Sequence, residues 1–143
     1  RLKKYIGNED FMLTYGDGLS NVNLEKLLDF HNQHEKMVTV TAVRPIARFG
    51  ELEIIDHKVE SFQEKPQIGN GWINGGFFVM KSEFINLIEN DQSILEREPL
   101  EKAVKLNEFY AFKHYDFWQC MDTKRDKDRL EEIFANNNAP WIR

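Results

Sequence analysis

One cysteine in 143 residues, Cys120, leaves no internal disulfide to form. The fold must be held by packing, and a lone thiol suits a reducing, cytoplasmic compartment. No apolar stretch approaches the roughly 20 residues that cross a bilayer, so no membrane partner is expected. The N-terminus lacks the apolar segment of a signal peptide. A basic field is missing too: 19 Lys and Arg face 24 Asp and Glu, a net charge of −5, which argues against nucleic acid as a partner. The four histidines, His31, His34, His57 and His114, have no zinc-ligand spacing. No Ser/His/Asp order, repeat, low-complexity tract or internal linker is found.

What remains is an ordinary globular composition, 41% apolar and 30% charged, long enough for one domain with a real core. The pattern is α/β. "FMLTY" (11–15) is a continuous apolar run bounded by turn residues, the mark of a strand covered on both faces. Leu24, Leu27, Leu28 and His31 recur at helical spacing behind Asn23, a plausible N-cap. "MVTVTAV" (37–43) is β-branched and predicts the next strand. Strand, helix and strand in succession predict a parallel pair with a right-handed crossover. "GELEIID" and "KVESFQEK" predict a hairpin turning at "HK", and "WINGGFFVMK" a further strand. "SEFINLIEN" and "ILEREPLEKAVKL" read as helical, the second starting or breaking at Pro99. "EFYAFKHYDFW" returns to strand. A last helix opens at Thr123 with Asp126 as capping pair and presents Leu130, Ile133 and Phe134 on one face. Residue 1 is Arg, and the charged "RLKKYIGNED" predicts a helix leading straight into a core strand, so the chain reads as the C-terminal portion of a longer polypeptide.

Four places offer chemistry. Asp17 follows a strand between Gly16 and Gly18, at the carboxyl end where open α/β sheets collect ligands. An unpartnered carboxylate is costly at such a buried site, and a divalent cation would offset that cost; the plainer alternative is an Asp capping the turn. Pro66 biases Lys65 toward extended geometry, so Glu64 and Lys65 point to opposite sides of a strand end. A carboxylate for hydroxyls beside an ammonium for phosphate suits a sugar phosphate, and an exposed ion pair is the alternative. Asn74 precedes Gly75 and Gly76, paired glycines that signal close approach of a ligand or another backbone, or a simple bulge. Asp122 lies one residue before the last helix. It either completes a Mg²⁺ site with Asp17 or answers the helix dipole. Trp118 either stacks on a sugar or base or packs in the core. Cys120, with no His close in sequence, reads as packing.

The segments "FMLTYGDGL", "TVTAVRPIARFGELEI", "SFQEKP", "WINGGFFVM", "EREPLE", "FWQCMDTKRDKDRLEE" and "APW" together resemble the glucose-1-phosphate cytidylyltransferase family of sugar nucleotidyltransferases, in order and spacing from Arg1 to Trp141. The resemblance implies the C-terminal part of a Rossmann-like nucleotide-diphospho-sugar transferase fold, a mixed sheet flanked by helices, with residues 1–143 as a partial domain that binds sugar phosphate and metal. It implies transfer of a cytidylyl group from CTP to α-D-glucose 1-phosphate, giving CDP-glucose and pyrophosphate, in nucleotide-sugar biosynthesis for surface polysaccharide. A UTP- or dTTP-using enzyme and a non-catalytic sugar-phosphate-binding module are the alternatives. By resemblance, Asp17 and Asp122 hold Mg²⁺ and act with Lys65 as the catalytic group. Glu64 and Lys65 hold the glucose hydroxyls and the phosphate. Asn74, Gly75 and Gly76 contact substrate, Tyr15 and Gly16 line the same rim, and Arg1 contacts nucleotide; Trp118, read from its own chemistry, is the remaining candidate for substrate binding. A homo-oligomer is implied as well. Two departures stand out. Cys120 occupies a position where related sequences usually have proline. The family's N-terminal glycine-rich loop, which grips the triphosphate, is not in this chain, so the chain alone is expected to show little or no activity.

Overall fold

The computed structural model describes residues 2–45, 51–63 and 71–142. Eight strands are present among them: β1 (Phe11–Thr14), β2 (Gly18–Ser20), β3 (Val38–Val43), β4 (Glu51–Ile55), β5 (Lys58–Gln63), β6 (Ile73–Met80), β7 (Phe109–Lys113) and β8 (Trp118–Cys120). The main sheet has the order β1-β6-β3-β7. β3 runs parallel to β7 and antiparallel to β6, which also pairs antiparallel with β1. The sheet is therefore mixed, as expected.

All six residues of β3 are buried, the position of a central strand covered on both faces. On one face Val38, Val40, Phe78 and Met80 pack with Phe84, Leu100 and Ala103 from the helical segments that follow β6. Fully burying each larger apolar side chain contributes roughly 1.5–3 kcal/mol. Phe84 lies on a 3₁₀ turn (Ser82–Leu87), after the short α1 (Lys3–Ile6) and α2 (Leu24–His34) in chain order. Leu100 and Ala103 belong to α3 (Glu98–Lys105), which has Pro99 in its first turn, where the missing N–H costs nothing. On the opposite face α2 buries Leu27 and His31, and His31 meets Thr39 of β3. Asn23 caps α2 by accepting the Lys26 N–H at 3.0 Å. Leu24 and Leu28 flank the buried stripe and remain exposed. The final helix, α4 (Lys124–Ala135), buries Leu130, whereas Phe134 is exposed. Among the described residues no helix is long and apolar enough to cross a membrane.

Four expectations are corrected. β1 and β3 do not pair: β6 lies between them, antiparallel to both, so the strand–helix–strand unit spans a gap. β1 is not covered on both faces. Phe11 and Leu13 pack against the core while Met12 and Thr14 are exposed. "EFYAFKHYDFW" is two strands rather than one: β7 joins the main sheet, and after His114–Phe117 the chain leaves to form β8 beside β2. The β4–β5 hairpin is present, but its turn is Asp56–His57, both at positive φ (45° and 74°), the combination that matches strand twist in two-residue hairpins.

Candidate functional site

Two short strands bring the acidic pair together. After β1 the chain turns through Tyr15, Gly16 and Asp17 into β2, which pairs with β8 in the register Gly18↔Cys120, Leu19↔Gln119, Ser20↔Trp118. The ladder continues one bond further, with the Met121 N–H donating to the Asp17 carbonyl at 2.8 Å. Asp17 therefore stands opposite Met121 and one residue from Asp122. Asp122 is fixed from its other side by α4. Thr123 caps that helix through a reciprocal capping box in which Asp126 N–H donates to Thr123 Oγ1 at 3.2 Å and Thr123 N–H donates to Asp126 Oδ2 at 3.0 Å. The Cys120 thiol touches the Asp122 carboxylate, with Sγ 3.2 Å from Oδ2. The departure from the usual proline at this position thus bears directly on Asp122.

Asp17 and Asp122 are both exposed. The desolvation cost suggested for Asp17 is absent, because the turn opens onto the rim of the sheet and leaves its carboxylate in solvent. The donor set fits a magnesium ion in one respect: two hard carboxylates, with the remaining positions left to water or phosphate oxygens, is how this ion is commonly held. Among the described residues no group of three or more His, Cys, Asp or Glu side chains is placed to hold a metal.

Tyr15, Gly16, Asp17 and Glu96 line an open cavity of about 400 Å³. The Tyr15 hydroxyl donates to Glu96 Oε1 and accepts from Asn74 Nδ2 at 3.0 Å. Its pKa is pushed up to about 12, first by burial and then by the bond to Glu96; the Asn74 bond acts in the opposite direction. The phenol keeps its proton at any ordinary pH. The other end of the Asn74 amide, Oδ1, accepts the Gly76 N–H at 2.8 Å, and Tyr15 N–H donates to the Gly76 carbonyl at 2.9 Å.

The paired glycines have an explanation within the protein. A Cβ on Gly75 would lie 2.8 Å from the Thr41 carbonyl oxygen of β3, and one on Gly76 would lie 2.9 Å from the Tyr15 ring. Gly76 also has φ +77°, a region that side-chain-bearing residues avoid. Close approach of another backbone is thus observed at Gly75. It coincides with a bulge, since the β3–β6 register slips between Val40 and Ala42. Trp118 is half-buried, and its Nε1–H donates to the Gly75 carbonyl at 2.8 Å, tying β8 to β6. Of the other residues singled out in the sequence, Arg1, Glu64 and Lys65 lie outside the described residues.

Nothing in the sequence singles out Glu96. It lies in "EREPLE", where an acid among charged neighbours looks like solvated surface, and only its contact with Tyr15 distinguishes it.

A mixed sheet with two carboxylates and an open cavity at one end has polar groups where open α/β sheets collect ligands. The chain belongs to the nucleotidyl transferase family, which matches residues 2–124. Over 142 residues it is 44% identical to the glucose-1-phosphate cytidylyltransferase of Salmonella typhimurium, covering 99% of this chain and 55% of that protein. Over 140 residues it is 36% identical to a probable glucose-1-phosphate cytidylyltransferase of Bacillus subtilis, covering 97% of this chain and 55% of the relative. The crystal structure of HddC from Yersinia pseudotuberculosis shares the fold, with a TM-score of 0.66 at 23% identity over 93% of this chain and 59% of that one. The chain spans about half the length of the curated relatives it matches.

Proposed function

We propose that this chain is the sugar-phosphate- and metal-binding portion of a glucose-1-phosphate cytidylyltransferase, which transfers a cytidylyl group from CTP to α-D-glucose 1-phosphate and yields CDP-glucose and pyrophosphate. The observation that carries the reading is the β2–β8 ladder. It brings Asp17 and Asp122, 105 positions apart in sequence, to neighbouring places on one rim. The identity to the Salmonella enzyme supports the choice of nucleotide and sugar. A cytoplasmic location and a homo-oligomer belong to the same proposal.

Attack of the sugar phosphate on the α-phosphorus requires alignment and charge neutralisation, and no protein nucleophile. Asp17 and Asp122 would hold Mg²⁺, which when bound offsets charge on the nucleotide phosphates. Lys65 would position the sugar phosphate and Glu64 the sugar hydroxyls. Arg1 would contact the nucleotide. Gly16, Asn74, Gly75 and Gly76 would form the rim over which the sugar lies. Trp118, its N–H already bonded to Gly75, would present only its ring to a ligand.

The test is turnover of glucose 1-phosphate with CTP, UTP, dTTP and GTP by the protein expressed from its whole reading frame. CTP should be used fastest. Asp17→Asn and Asp122→Asn should each lower kcat by roughly 100-fold or more, with an unchanged melting temperature. Faster turnover with UTP or dTTP would overturn the base assignment. No turnover with any nucleotide, combined with retained glucose 1-phosphate binding, would leave a binding module instead.

A further inference from the structure

The cavity beside Asp17 has a chemical bias. Among the described residues its lining is one backbone turn, one phenol and two carboxylates, Asp17 and Glu96. Two carboxylates disfavour a phosphate that no cation accompanies. Hydroxyl donors are what such a wall takes.

The phenol is not available to give or receive. Its single proton goes to Glu96 Oε1, and its oxygen already accepts from the Asn74 amide. Among the described residues Tyr15 is the hydrogen-bond partner of Glu96, so the second carboxylate oxygen, Oε2, can accept from a ligand. Glu96 is otherwise an exposed side chain on the turn that precedes α3. Anchoring it through a phenol and an amide removes rotamer freedom that a free surface glutamate keeps. The amide is held in turn by the Gly76 N–H. A chain of three side chains thus ends on one carboxylate at the cavity wall.

We propose that Glu96 is a specificity-determining residue that accepts a hydrogen bond from a hydroxyl of the sugar ring, with Tyr15 and Asn74 as its positioning residues. This rests on the sugar-phosphate reading given above. A carboxylate–hydroxyl bond of this kind discriminates the configuration of one ring carbon, because an epimer or deoxy analogue leaves the charged acceptor without its partner.

The experiment is equilibrium binding of glucose 1-phosphate and its monodeoxy analogues to the whole protein, for wild type, Glu96→Ala and Tyr15→Phe, with melting temperatures recorded for each. In wild type, one deoxy position should lose roughly tenfold to a hundredfold in affinity. In Glu96→Ala, glucose 1-phosphate itself should be weakened by a similar factor, and deletion of that same hydroxyl should cost nothing more. Tyr15→Phe should give a smaller loss confined to that hydroxyl. A uniform loss across all analogues, or no loss, in Glu96→Ala overturns the role of Glu96 while leaving the sugar-phosphate reading intact. An unaffected Tyr15→Phe overturns the positioning role of Tyr15. Failure of the wild-type protein to bind glucose 1-phosphate overturns the functional reading itself, and this inference with it.

Discussion

Replacing Gly75 by Ala tests the junction on which the rim is built. A methyl group there would lie 2.8 Å from the Thr41 carbonyl oxygen and 2.9 Å from Val43 Cγ1. Neither obstacle can swing aside. Thr41 O is backbone of β3, whose six residues are all buried, and Val43 is fixed in the same strand. Overpacking of a close-packed interior costs about 1–3 kcal/mol, and a backbone obstacle places Gly75→Ala near the upper limit. For a domain of this size each kcal/mol lowers the melting temperature by roughly 3–4 °C. Calorimetry should therefore record a fall of about 10 °C. The disturbance also travels, because the Gly75 carbonyl holds Trp118 and with it β8, which leads directly to Asp122. Gly18→Ala is the control. The nearest atoms to its added methyl lie at 3.8–3.9 Å, ordinary contact, so its melting temperature should move by less than about 2 °C. A Gly75→Ala protein that melts within about 2 °C of wild type would refute the packing argument.

Gly16→Ala should leave stability unchanged or raise it by about 0.4–1 kcal/mol through the unfolded chain, since nothing lies within 4 Å of the added methyl. Any accompanying loss of glucose 1-phosphate affinity then reports close approach of a ligand, whereas a melting temperature lowered by more than about 4 °C contradicts the open geometry. A pH effect follows from His31 and His34, whose pKa values are both lowered, chiefly by burial. His31 is fully buried; its Nδ1 and the Nε2 of His34 share Thr39 Oγ1 at 2.7 and 2.8 Å, and its own Nε2 faces Asp10 Oδ2 at 4.0 Å. The unfolded chain binds protons at these positions more readily than the fold does. Their contribution is present above the ordinary histidine pKa of about 6.5 and is lost as pH falls through it toward the lower folded values. Melting temperatures measured from pH 7.5 to 5 should decline, and less steeply in His31→Gln; a flat wild-type profile would refute the argument. Glu89 and Glu108, lowered by the Lys102 hydrogen bond and the Met37 N–H respectively, act below that window.

Much of the fold was legible wherever the cause was local. Asn23 as a cap, the Thr123–Asp126 box, Pro99 at a helix start and the β-branched run of β3 all act within a few residues, so their signals survive in the linear sequence. The errors came from pairing over long separations. Nothing near "FMLTY" or "VTVTAV" announces that β6 will lie between them, because that depends on which strand edges meet after collapse. The aromatic alternation of "EFYAFKHYDFW" likewise continues through the point where the chain changes sheets. There His114 N–H still bonds the Ala42 carbonyl while its Nε2 contacts Ser20 Oγ at 3.2 Å, so one residue serves both sheets. At the site, Asp17 and Asp122 could be singled out as acids placed at turns. Glu96 could not, since its distinction is a contact with a residue 81 positions away.

The start of β6 explains why the rim is hard to read from sequence and easy to damage. Three consecutive residues each hold a different part of it: Asn74 holds the Tyr15 hydroxyl, the Gly75 carbonyl holds Trp118, and the Gly76 carbonyl holds the Tyr15 N–H beside Gly16 and Asp17. Both ends of the Asn74 amide are spent on these ties. Substitutions at Asn74 and Gly75 will therefore weaken ligand binding whether or not those residues touch the ligand, because they release the groups on either side. Contact and support separate only at positions such as Gly16 and Glu96, where the side chain or its absence faces the cavity and the fold asks little of it. At those two positions a change in affinity without a change in melting temperature carries information about the ligand itself.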